Sequence, residues 1–228
     1  MKRFMALLLA VVICFSITGC SSDKKAFEVS KIAYDNIKAA YDIAYEFASD
    51  LAGVWWAVVY DRDNLLDTNT LNALMSELSY LDEESLKLGI AYVMAKNMDG
   101  KNWDELSDNE KEEYITSASK FEGEGFSLFD NCMNFSLHSI RNAYKLNGRV
   151  EEARNYLEVA KTQMQELSGK YNDYEHYPAL KGFYTMAGAY LDACLEARQS
   201  FESFSDARAE YEKEARDYIN DLDFVFGG

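Results

Sequence analysis

Apolar residues recur along this 228-residue chain at alternating steps of three and four, and that spacing narrows the fold more than anything else in the sequence. A helix turns every ~3.6 residues, so such spacing lays an apolar stripe along one helix face. Strands need period-two alternation, and no segment shows it. The first stripe is Phe27, Tyr34, Ile37, Tyr41, Ala44, Ala48, Leu51, Trp55 and Val58, interrupted at Ser30. The second is Leu71, Leu74, Leu78, Leu81, Leu88, Tyr92 and Ala95, interrupted at Ser85. A third runs from about Ser107 to Asn147, with Ile115, Ala118, Phe121, Phe129, Cys132, Phe135, Ile140 and Ala143 inward. Its start is marked by Ser107-Asp108-Asn109-Glu110, the pattern of a capping box. The last spans Leu180, Phe183, Ala187, Tyr190, Cys194, Ala197, Phe201, Phe204, Tyr211, Ala215, Tyr218, Leu222 and Val225. Arg208 is its one break, and Pro178 stands at its start, where a helix tolerates proline. A single proline also disfavours a turn-rich β fold. The expectation is an all-α fold: one domain over 26–228, an elongated antiparallel bundle of about five helices with heptad-like seams.

Length shapes the expected stacking. At ~1.5 Å per residue the first, third and last segments are ~50, ~60 and ~70 Å long, against ~30 Å for a helix over Arg149–Leu167. The polar stretch from Ser168 to Tyr177, if extended, supplies another ~30 Å. The last segment is then expected to be one long helix. The competing arrangement breaks it at Ser203–Asp206, with Ser205-Asp206 as a new cap.

The N-terminus carries an address. Met1-Lys2-Arg3 precedes the uncharged run Phe4–Ile17, which is too short to span a ~30 Å bilayer comfortably and has the layout of a secretory signal. It closes on Ile17-Thr18-Gly19-Cys20, which resembles the bacterial lipoprotein lipobox, with Ile17 where Leu is usual. The resemblance covers only about the first 20 residues. It implies that 1–19 is a signal peptide, cleaved before Cys20, and that the Cys20 sulfur takes a diacylglycerol. Two or more acyl chains, at ~0.8 kcal/mol per buried CH₂, hold a protein stably on a membrane. Residues 20–25 then read as the lipidated cysteine and a short polar tether.

One hairpin has its own signature. Asn142 to Ala153, followed by Tyr156 and Ala160, resembles a single tetratricopeptide helix–turn–helix, matched at Ala143, Tyr144, Gly148, Ala153 and Ala160. No second copy follows at the 34-residue period of that family, whose arrays need about three repeats.

Charge and motifs exclude several functions. With 23 basic against 39 acidic residues the formal charge is −16, and loss of Lys2 and Arg3 takes it to −18, so a nucleic-acid partner is not expected. No nucleophile elbow, Walker loop, dinucleotide fingerprint or calcium loop occurs, and no cofactor or metal is expected. His138 has no Asp, Glu or Cys three or four residues away, as a helical metal site would require. No catalytic residue is assigned. Cys132 and Cys194 fall on inward seams of different helices. They are read either as buried thiols or as a candidate disulfide.

Two features suggest an interaction surface. Leu51 to Tyr60 is uncharged, and Trp55 and Trp56 point ~100° apart, so one seam cannot bury both. Trp55, Trp56 and Tyr60 are therefore candidates for a partner or ligand surface. Tyr171, Tyr174, His176 and Tyr177 form a second, an aromatic loop of the kind that stacks on sugars or peptides. The functional expectation is a lipid-anchored cell-envelope protein, a non-catalytic helical scaffold with an envelope protein partner. Its rival is a small-ligand receptor, in which Gly53, Gly89, Gly125 and Gly188 make room for a ligand among Trp55, Phe129 and Tyr190.

Overall fold

The computed structural model describes residues 22–60, 70–121, 129–171, 173–196 and 200–227, with side chains except at 22, 23, 70 and 129–132. All regular structure among these residues is helical, as the seams require. The spine is α1, Ser22–Tyr60, whose 39 residues extend ~58 Å. It begins at Ser22, so Ser22–Lys25, expected as a tether, form its first turn. Its expected stripe is buried from Tyr34 to Val58, and Ser30 is buried with it. A second buried row, Ala40, Ile43, Phe47, Asp50, Val54 and Ala57, runs alongside. Two rows are needed because α1 is packed from several sides.

Four helices form the sleeve around it: α5 (Phe129–Leu146), α6 (Arg149–Lys170), α7 (Tyr177–Leu195) and α8 (Phe201–Phe226). Before them come α2 (Thr70–Met75), α3 (Glu83–Val93) and α4 (Asp108–Ala118). A π-helical turn, Met94–Met98, continues α3, and a 3₁₀ turn, Trp103–Glu105, precedes α4. The capping box at α4 is present in full: Ser107 Oγ accepts from the Glu110 N–H, and the Glu110 carboxylate accepts from the Ser107 N–H at 3.0 Å.

The second, third and last expected helices are each divided. The second segment breaks because Asp50 of α1 accepts the N–H groups of Ser79, Tyr80 and Leu81, drawing them out of a helix. Asp82 then caps α3 by accepting from Ser85 N–H at 2.8 Å. The third ends its first helix at Ala118 and resumes at Phe129. The last segment turns back after Leu195, and α8 starts on Ser200, whose hydroxyl accepts from the Ser203 N–H. The expected single helix is thus a hairpin, and its break lies upstream of Ser203–Asp206. Tyr190 stacks on Tyr211 at 5.0 Å and Phe183 on Tyr218 at 6.0 Å, pairs equidistant from the Ser200–Phe201 turn. The two halves of one sequence seam zip against each other.

Residues 142–160 form a helix, a turn and a second helix. Gly148, at φ +85°, makes the turn, in a region that glycine enters without steric penalty. Its second helix, α6, packs mainly on α1, burying Val150, Ala153, Ala160, Met164 and Leu167. The Ser168–Tyr177 stretch is not extended. Here α6 continues to Lys170, and a compact turn follows, with Tyr174 N–H donating to Tyr171 O and Tyr177 N–H to Tyr174 O.

Candidate functional site

The two aromatic groups lie at opposite ends of α1. At its C-terminal end Trp55 is buried, stacked 5.5 Å from Phe204 and 6.0 Å from Phe201. Trp56, one residue on, faces outward and is 51% exposed, with Tyr60 65% exposed beside it at 5.4 Å. Phe201 meets Tyr60 edge-on. The divergence expected of neighbouring helical residues therefore splits this pair into a core anchor and an exposed platform. The indole N–H of Trp55 is buried without an acceptor among the described residues.

The Tyr171–Tyr177 turn caps the other end. Its three tyrosines are partly buried against the core, and His176 meets Phe226 edge-on at 5.9 Å and Tyr174 at 5.4 Å. Phe226 also packs on Phe27 and Tyr34. This turn is packing rather than open surface, and it cannot share a ligand with Trp56, roughly 40 Å away along α1.

Between the ends lies a polar node that sequence reasoning missed. Asp50 is fully buried, and besides its three N–H donors it accepts from the Tyr144 hydroxyl at 2.8 Å. Burial pushes its carboxyl above the ordinary value, outweighing the hydrogen bonds that oppose the shift. Tyr144 stacks on Phe47 at 4.2 Å, and burial and the neighbouring Asp50 raise its phenol strongly. Outside the node, Glu46 pairs with Arg149, which also holds Glu152 at 3.1 Å. Glu46, Tyr80, Asp82, Asn147 and Arg149 border a cleft of about 240 Å³. Every acid there is committed to a bond that shapes the fold, and no nucleophile stands beside a base. The available signal was Asp50 itself, an acid at a heptad position of the Ile43–Ala57 row.

The remaining candidates separate cleanly. Cys194 is a free, fully buried thiol 3.7 Å from the Ala44 carbonyl, and burial pushes it up to about 12. Cys132 lies on α5 nine residues before Arg141, the residue of that helix that reaches Cys194, or ~13 Å along the axis. The side chain of Cys132, like that of Phe129 and all of Gly125, lies outside the described residues, as does Cys20. His138 is half-buried, and burial together with Arg141, Lys96 and Lys145 lowers its proton affinity. No group of three metal-ligating side chains occurs among the described residues, and no described helix is long and apolar enough to cross a membrane.

Two of the glycines expected to leave room for a ligand do different work. A Cβ on Gly53 would collide with the Glu77 carbonyl in the turn after α2, and one on Gly89 with the Ser139 carbonyl of α5, so each permits a close backbone approach. Trp55 and Tyr190 are occupied by ring neighbours. No protein-family model matches the chain, no curated protein matches it, and no solved structure does.

Buried Asp50 sets an expected pH response. Partial desolvation also raises Asp42, an exposed residue, with Lys38 opposing the shift and Glu46 adding to it. A carboxyl raised in the folded state contributes stability below its ordinary value, and that stability is lost as pH rises through the folded value. Asp82 and Glu110 are lowered by hydrogen bonds to their capping partners and work the other way, losing stability as pH falls. Both are largely exposed caps, and Asp42 is exposed as well, so fully buried Asp50 dominates. The urea midpoint is expected to be higher at about pH 5 than at about pH 7.5. A midpoint that climbs across that interval would contradict the assignment.

Proposed function

We propose that the protein is a lipid-anchored cell-envelope scaffold that docks a protein partner through Trp56 and Tyr60, without catalysis. The observation that carries this reading is the exposed aromatic pair at one end of a continuous ~58 Å helix whose other end begins two residues after Cys20. Trp and Tyr supply large contact areas at small entropic cost, which suits them to interface centres. The lipid on Cys20 would hold the first end at the membrane and present the second away from it.

Two variants test the reading separately. Cys20→Ala should leave the precursor unprocessed or release the protein from membranes, and unchanged mass and membrane partition would refute the anchor. A photo-crosslinking residue at position 56 should trap one discrete partner in intact envelopes. The same residue at exposed Phe224, at the opposite end, should not trap it. Trp56→Ala should then reduce recovery of that partner about tenfold or more, the effect of removing a central aromatic contact. Equal recovery from wild type and Trp56→Ala would refute the surface.

A further inference from the structure

The end of the bundle where α1 begins carries an aromatic side chain that the fold does not use. Phe224, in the last turn of α8, is 93% exposed, the most open of the large apolar side chains among the described residues. The turn that carries it is pinned. Phe226 is wedged against Phe27, Tyr34 and His176. Asp223 accepts from Tyr34 at 2.5 Å and pairs with Lys38 at 3.5 Å, and the Phe226 carbonyl accepts from Lys31. Successive helical side chains turn by ~100°, so with Phe226 facing α1 the residue two positions back faces away from the bundle. Phe224 is therefore held outward on a fixed turn. Phe27, 39% exposed, lies between that turn and the start of α1.

A lone exposed aromatic is ordinary on a protein surface, so its place in the molecule has to carry the argument. Ser22 already lies in α1, and the two-residue step from Cys20 spans ~7 Å at most. Acyl chains on Cys20 would bring the helix start onto the lipid headgroups. Phe224 lies level with the stretch of α1 between Lys31 and Lys38, ~15–20 Å along the axis from Ser22. An upright bundle would hold it clear of the lipid. The axis of α8 stands ~10 Å from that of α1, and an outward side chain reaches ~6 Å further. A lean of roughly 45° toward α8 therefore brings Phe224, Phe27 and the helix start to one plane. The flank beyond α7 offers no such contact. There the end of α6 and the turn after it present Ser168, Lys170, Asp173 and Glu175, all exposed and all polar or charged.

We infer, resting on the lipid-anchored reading above, that the molecule leans on its membrane along the last turn of α8, with Phe224 and Phe27 seated at the headgroup–acyl boundary of a zwitterionic lipid surface. Lys24 and Lys25, exposed in the first turn of α1, can reach headgroup phosphates from there. Glu28, beside Phe27, and Asp217 and Asp221, on the outer face of α8, are exposed acids. They confine the contact to the last turn and disfavour anionic headgroups. Seated aromatics add a second hold to the acyl chains and fix the direction in which α1 carries Trp56.

The test places the lipidated chain in phosphatidylcholine vesicles, with a photo-crosslinking residue at one position at a time. Position 224 should give covalent lipid adducts, read by mass, at about fivefold or more the yield of position 168, at the same end on α6. Position 56, at the far end, should give none. Phe224→Ser alters an exposed side chain and should lower the adduct yield at position 27 about threefold, with an unchanged melting temperature. Adding phosphatidylglycerol should lower the yield at position 224, and a rise would overturn the choice of surface. Equal yields at 224 and 168, or adducts at neither while the protein stays on the vesicles, would overturn the lean and leave the anchor standing. Failure of the wild-type chain to associate with vesicles at all would instead refute the anchor, and the lean with it.

Discussion

Asp50→Ala should cost about 3–4 kcal/mol of folding stability and lower the melting temperature by about 10 °C. The variant strands the buried Leu81 N–H and Tyr144 hydroxyl and removes the acceptor that holds the part-buried Ser79 and Tyr80 N–H groups. A graded series separates the contributions. Asp50→Asn keeps one acceptor oxygen and should lose about half as much, whereas Tyr144→Phe removes a single bond and should lose about 1 kcal/mol. Urea unfolding reads all three. A loss below about 1 kcal/mol for Asp50→Ala would show that the 79–82 turn holds without its carboxylate.

Gly89→Ala should destabilise by about 2–3 kcal/mol although alanine is the better helix former by ~1 kcal/mol. The added methyl would press on the Ser139 carbonyl and the Ala143 backbone, which cannot move without parting α3 from α5. The same substitution at Gly169, also helical but with open space around it, should stabilise by about 0.5 kcal/mol. Opposite signs for one chemical change would isolate the close approach as the cause. Neutral or stabilising behaviour at Gly89 would refute it.

The all-helical class was legible in the sequence because three-and-four spacing is a local property. Burial of Tyr34, Ile37, Ala44 and Leu51, and of Leu180, Phe183 and Ala187, follows from it directly. What that spacing cannot convey is where a helix turns back. The Phe201, Phe204 and Tyr211 positions stay in phase with Tyr190 across the 196–200 break, so one seam reads identically as a rod or as a hairpin folded on itself. The break after Met75 is still less visible, because the carboxylate that causes it sits 29 residues upstream of Ser79, on another helix. Asp50 was overlooked for a related reason: its partners, Ser79 to Leu81 and Tyr144, are remote in sequence. The Trp55–Trp56 divergence was legible, and which of the two turns outward depended on where α8 lies.

The pairing of α1 with α8 also sets an order of assembly. Tyr34 donates to Asp223 at 2.5 Å, Lys31 to the Phe226 carbonyl, and Phe27 packs on Phe226, so contacts of the first turns of α1 are separated by almost 200 positions in sequence. Synthesis delivers α1 first, with both apolar rows bare, and the partners that cover its early turns arrive last. Until then the sleeve lacks its fourth member, and the first turns of α1 stay partly bare. Closure of such long loops is slow relative to local helix formation, so this part of the spine is the last to be covered. A chain built this way closes only once residues 223–226 are in place, and a ribosome stalled short of them would leave an aggregation-prone fragment rather than a smaller folded one.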